Sequence, residues 1–261
     1  MLIFIIPLKS ARVSASWEHV SRLVTRTISS VCAQTSPRFH ALVVCHEVPE
    51  GEWADPRLEF IPVDYSPPPS PEPAVMRDDR WRKYYIGLER ALDYSPSHVM
   101  FVDGDDCVSN RLAGFVADRS AAPGWYIRSG YFYSERQTRV YLTRRRFNQW
   151  CGSSYIIRPE HIRFLVRADN RLKIPHRLLV RQLRQRGTSL RPLPFRGAVY
   201  CVSHGENFRD YEPILWPSHP LLRLARRLIG HRSPTPRIGV EYGLYPANPG
   251  AGGGPAGSDA G

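Results

Sequence analysis

Three carboxylates in four residues, Asp103, Asp105 and Asp106 around Gly104, stand where an apolar run ends. Acids this close repel one another unless a cation sits between them. Oxygen ligands of this kind suit Mg2+ or Mn2+, either of which would also hold a diphosphate. Gly104 offers a tight turn and a close approach for phosphates. The same acids would also serve as a solvated turn closing a strand, so the cluster depends on its surroundings. Asp79 and Lys83 lie one helical turn apart and can face a common cleft, although an exposed ion pair is the plainer reading. His204 follows a second apolar run and precedes Gly205. It suits Mn2+ as a neutral imidazole, or else a turn in which it bonds to the backbone.

These residues need elements to place them. Residues 2–6, 40–45, 58–63 and 98–102 are apolar runs of strand length, and the last ends on the acidic cluster. Between the first two, Val20, Leu23, Val24, Ile28, Val31 and Cys32 recur on one helical face, with Ser14 or Ser16 as cap. Residues 66–73 carry five prolines and read as a stiff extended loop. A helix is expected over 76–92. The alternation predicts an α/β fold with a central, largely parallel sheet and ligands at the carboxyl ends of its strands. Further strands are expected at 124–133, 139–142, 153–157 and 198–202, a basic helix at 175–186, and a basic amphipathic helix at 220–230. Residues 247–261 are Gly, Pro, Ala and Ser with one Asp, a composition that predicts no packed core.

The 36 basic residues outnumber 24 acidic ones, giving a formal charge of +12. That balance suits phosphates, nucleic acid or an anionic membrane surface. No helix-turn-helix, zinc-finger or RNP-like motif supports specific nucleic-acid binding, which stays an alternative on charge alone. A metal-dependent nucleotidyltransferase is another, but no Gly-rich or Lys-rich phosphate loop appears near the N-terminus. The five cysteines, Cys32, Cys45, Cys107, Cys151 and Cys201, form no C-x-x-C pair, which points to buried, reduced thiols. Residues 1–7 are apolar but too short to span a bilayer and lack a basic leader, so a cytoplasmic location is expected. Leu221, Leu222, Ala225, Leu228 and Ile229, ringed by arginines, suggest peripheral contact with the anionic inner membrane face.

Several short motifs occur together in order. Pro7-Leu8-Lys9-Ser10 follows the first strand, and Val43-Val44-Cys45-His46-Glu47 ends the second. Asp79-Arg80-Trp81-Arg82-Lys83 opens a helix before Val102-Asp103-Gly104-Asp105-Asp106. Cys151-Gly152-Ser153-Ser154 and His204-Gly205-Glu206-Asn207 follow. Over residues 2 to about 208 the chain resembles the family-2-like glycosyltransferases of the GT-A fold, a single Rossmann-like domain with a central, mostly parallel mixed sheet.

That resemblance implies transfer of a sugar from a nucleotide-diphospho-sugar, UDP-linked by preference, to a hydroxyl of a glycan or lipid-linked acceptor. It implies donor binding by Pro7, Lys9, Glu47, Asp79, Lys83, Asp103, Gly104, Gly152, Ser153 and Ser154. Mn2+ or Mg2+ would sit on Asp105, Asp106 and His204. The catalytic domain would cover 1–210, with a nucleotide half over 1–106 and an acceptor half over 107–210. Residues 211–246 would be an extension and 247–261 a tail. One departure stands out: inverting members carry a Glu-Asp pair after the Gly-Ser-Ser stretch, and this chain has none. Asp169 and His176 are the nearest candidates for the base, although Asp169 beside Asn170 also reads as a turn residue.

Overall fold

The computed structural model describes residues 1–136, 138–206 and 231–244. Its strands are β1 (Leu2–Pro7), β2 (Phe39–Cys45), β3 (Leu58–Pro62), β4 (His98–Phe101), β5 (Cys107–Val108) and β6 (Gly124–Tyr126). They continue as β7 (Gly130–Ser134), β8 (Arg139–Thr143), β9 (Tyr155–Ile157), β10 (Arg191–Pro192), β11 (Ala198–Val202) and β12 (His231–Arg232). The helices are α1 (Trp17–Cys32), α2 (Pro73–Leu92), α3 (Leu112–Ala117), α4 (Leu179–Gln185) and α5 (Pro236–Tyr242).

Seven strands form the main sheet in the order β10-β6-β9-β4-β1-β2-β3. β3, β2, β1 and β4 are mutually parallel, and β9 runs against both β4 and β6. This is the central, mostly parallel mixed sheet that the alternation of elements predicts. β1 lies at its centre with every residue from Leu2 to Ile6 fully buried. Leu2, Phe4 and Ile6 face the core under α1, while Ile3 and Ile5 face the core under α2. Burial on both faces is why β1 reads as an unbroken apolar run. Gly87 lets α2 lie close on β1, since a Cβ there would come within 2.4 Å of Ile5. Ser16 caps α1 by accepting from the His19 amide at 3.2 Å, and Pro73 sits in the first turn of α2, where its missing N–H costs nothing.

A smaller sheet, β12-β8-β7-β11-β5, carries the second half. The strand expected over 124–133 is two strands: β6 joins the main sheet and β7 the smaller one. The helix expected over 175–186 is shorter, because residues 175–178 form a turn before α4, and Gly187 ends it with φ +81°. α5 was not anticipated. It docks under the small sheet through Tyr242, 2% exposed, whose hydroxyl donates to Arg196 O at 2.6 Å. Among the described residues no helix is long and apolar enough to cross a membrane. The basic helix expected at 220–230, and the tail, lie outside the described residues.

Candidate functional site

β4 delivers its chain to the carboxyl edge of the sheet, where Asp106 N donates to Asp103 O at 3.0 Å and closes a turn. Gly104 is not required by this turn: its φ is not positive, and an added Cβ would meet nothing closer than Pro7 O at 3.6 Å. Two carboxylates of the turn face outward and one faces in. Asp106 is wholly buried, accepting from Ser153 Oγ at 2.6 Å, Cys201 N at 3.1 Å and Cys151 Sγ at 3.2 Å. Burial, then the charges of Asp105 and Asp103, raise its pKa well above the carboxylate range. Asp106 therefore pins the turn to β11 and to the 151–153 loop, and does not join a metal site as the sequence suggested.

Asp103 and Asp105 line a cleft with Pro7, Lys9, Asp79, Lys83, Gly104 and His204. The Asp79–Lys83 pair is not an exposed surface pair. Lys83 is fully buried, its ammonium donating to Asp79 Oδ2 and to Leu8 O, each at 2.7 Å. Tyr65 donates to the other Asp79 oxygen at 3.0 Å. Burial lowers the pKa of Lys83, and Asp79 opposes that shift. Lys9 reaches across the cleft to Glu206 at 2.5 Å. Glu47 does not line the cleft; it accepts from Ser10 Oγ and Ala11 N, each at 3.1 Å, and holds the loop after β1.

His204 follows β11 and meets Asp105, with Nε2 at 3.0 Å from Oδ2. Its Nδ1 accepts from Glu206 N at 3.3 Å, which leaves the ring proton on Nε2, donated to Asp105. Arg26 steadies the turn from behind by donating to Asp105 O at 3.3 Å. Among the described residues no group of three His, Cys, Asp or Glu side chains converges on one point. The Asp105–His204 pair still fits a divalent ion. Adjacent ligands on an octahedral ion with bonds of about 2.1 Å stand roughly 3 Å apart. Such ions keep several positions for water and substrate phosphates, so two protein donors suffice. Coordination through Nε2 would move the ring proton to Nδ1 and give up the contact with Glu206.

A second cavity of ≈ 500 Å³ opens on the other side of Asp103. The two spaces share Arg80, Asp103 and Tyr200 as walls. Asp103 Oδ1 accepts from Tyr84 at 3.2 Å and Arg80 at 3.5 Å, and Asp103 N donates to Ser153 Oγ at 2.9 Å. Gly152 lines this cavity against the carboxylate, where a Cβ would fall 2.7 Å from Asp103 Oδ2. Ser153 and Ser154 are buried behind it; Ser153 links Asp103 to Asp106, and Ser154 bonds to Cys151 O at 2.7 Å. His176 lines the same cavity, and burial lowers its pKa despite the opposing charge of Asp103. Asp169 does not. It sits on a turn with its half-exposed carboxylate 3.2 Å from Arg171, and lines neither space. Arg80, Tyr84, Trp150 and Tyr200 were not singled out from the sequence, where they read as ordinary packing residues in an arginine-rich chain.

No family model and no curated protein matches the chain. Among solved structures it is similar to S. aureus TarS 1-349, at 13% identity and TM-score 0.48, over 77% of this chain and 60% of that one. The same TarS 1-349 in complex with UDP gives 13% identity and TM-score 0.45, over 77% and 60%. S. aureus TarS gives 14% identity and TM-score 0.45, over 88% of this chain and 40% of that one. The chain thus spans 60% of the length of TarS 1-349.

Proposed function

We propose that this chain transfers a sugar from a nucleotide-diphospho-sugar, UDP-linked by preference, to a hydroxyl of a glycan or lipid-linked acceptor. What carries the reading is Asp103, which stands in the wall between two cavities and faces both. A donor in the first and an acceptor in the second would meet at its carboxylate.

Asp105 and His204 would hold Mn2+ or Mg2+, which supplies positive charge to the diphosphate as it becomes the leaving group. Lys9, on the opposite lip of the cleft, adds an ammonium for phosphate oxygens. The buried Asp79–Lys83 pair shapes the floor, and Lys83 ties α2 to the loop after β1 through Leu8 O. Tyr84 and Arg80 fix the Asp103 carboxylate, so its orientation toward the sugar does not depend on the substrate. His176 is the one sequence candidate for proton acceptance that lies in the acceptor cavity. Its lowered pKa keeps the imidazole neutral near pH 7, the form able to take a hydroxyl proton. Peripheral contact with an anionic membrane through 220–230 belongs to the same proposal.

The test is turnover of a nucleotide-sugar panel with Mn2+ against chelator. Metal-dependent release of nucleotide, reduced at least about a hundredfold in Asp103→Asn, is the expected result. Equal turnover in the variant would remove Asp103 from the reaction.

A further inference from the structure

The small sheet bears another cavity, of ≈ 610 Å³, away from the Asp103 cleft. Four arginines line it from four separate segments. Arg111 precedes α3, Arg144 follows β8, Arg196 precedes β11, and Arg237 lies in the first turn of α5. Glu241 is the one carboxylate among the described lining residues, and it accepts from Ser109 Oγ at 2.8 Å. Several arginines elsewhere in the chain have carboxylate partners, as with Arg57–Asp55, Arg90–Glu59 and Arg171–Asp78. Among the described residues these four form no ion pair.

Two of the four lie over aromatic rings. Arg111 lies over the Phe195 ring at 4.3 Å and Arg196 over the Tyr131 ring at 5.5 Å. The Arg196 backbone is held by Tyr242, and its Nε is buried with no hydrogen-bond partner. A buried N–H left without an acceptor is costly, and such a group calls for a ligand. Four like charges around one space repel unless an anion lies among them. Guanidinium forks match the tetrahedral oxygens of a phosphoryl group, which can serve several forks at once, whereas a carboxylate has only two oxygens.

We infer that this cavity is a second binding site, for phosphoryl groups, independent of the metal-assisted cleft and of the reaction proposed for it. The group could arrive on a soluble phosphate or on a lipid headgroup, and the test separates these sources. Calorimetric titration with inorganic pyrophosphate is done in chelator, which silences the Asp105–His204 site, at ionic strength matched with chloride. In parallel, retention on phosphatidylglycerol vesicles is measured against phosphatidylcholine. The Arg111→Gln/Arg237→Gln double variant replaces two exposed side chains and leaves the core untouched; Arg196→Lys removes the buried Nε–H and checks it separately. Saturable binding of either probe, weakened about tenfold or more in the double variant and unchanged in Asp105→Asn, is the expected result. The probe that binds identifies the source. Absence of binding to both probes, or equal binding by the double variant, overturns the inference.

Discussion

Asp106 and Asp105 are adjacent acids of one turn, yet the structure assigns them different work, and substitution separates the two. Asp106→Ala removes the acceptor of Ser153 Oγ and of the Cys201 amide, both in the interior. Each buried donor left unsatisfied costs about 1–3 kcal/mol, and relief of carboxylate repulsion offsets part of the sum. A net loss of about 2–5 kcal/mol follows, which for a domain of this size lowers Tm by roughly 5–15 °C. Asp105 is 22% exposed in its side chain and opens on the cleft, where water can replace its carboxylate. Asp105→Ala strips the acceptor from one buried donor, His204 Nε2, and should therefore cost about 1–2 kcal/mol, less than Asp106→Ala. Differential scanning calorimetry in chelator, without nucleotide, reads both directly. Equal Tm losses, or a larger loss in Asp105→Ala, would refute the division of this cluster into an inward anchor and an outward ligand.

Three further outcomes are expected. Gly152→Ala places a Cβ against Asp103 Oδ2, which can swing aside, so turnover should fall about tenfold or more with Tm nearly unchanged; unaltered turnover would show that Asp103 need not be held. His176→Gln should lower kcat without altering donor binding. In the parent, the rate should decline as pH falls through a value below the ~6.5 of a free imidazole, since burial holds His176 neutral; an unchanged rate and pH profile in the variant would exclude His176 as base. His98, buried at the start of β4 and bonded to Ala122 O at 2.9 Å, has its pKa pushed down to about 4 by burial. The unfolded chain takes up this proton first, so stability should fall as pH drops from ~6.5 toward 4, by up to about 3 kcal/mol. A His98→Gln variant with the same stability slope over that range would contradict this.

The central strands were legible because β1, β2 and β4 are covered on both faces and leave continuous apolar runs. The break between β6 and β7 was not. The chain changes sheets there, with Gly130 so close to Phe147 that a Cβ would lie 2.7 Å away, and no local pattern marks a close approach between distant residues. α5 was overlooked because seven residues make too short a periodicity, although Thr235-Pro236 carried the cap signal in plain form. At the site, Pro7, Asp103 and His204 share a cleft because each lies at or just beyond the carboxyl end of a strand, and α2 brings Asp79 and Lys83 over the same edge. Asp169 is only the acid nearest in sequence to where the resemblance expects a base, and Glu47 only the carboxylate that ends the second strand's motif; neither position along the chain measures distance in space. The inward turn of Asp106 was hidden for a related reason: its partners come from residues 45 or more positions away.

If Asp105 and His204 hold a divalent ion, nucleotide-sugar binding should depend on that ion. Thermal unfolding with UDP, in Mn2+ and in chelator, tests it for the parent, Asp105→Asn and His204→Ala. At UDP about a hundred times its Kd, the parent should gain about 2.7 kcal/mol with Mn2+ and almost nothing in chelator. Both variants should lose most of that gain. Equal stabilisation with and without Mn2+, or variants that respond as fully as the parent, would show that Asp105 and His204 hold no ion on which binding depends.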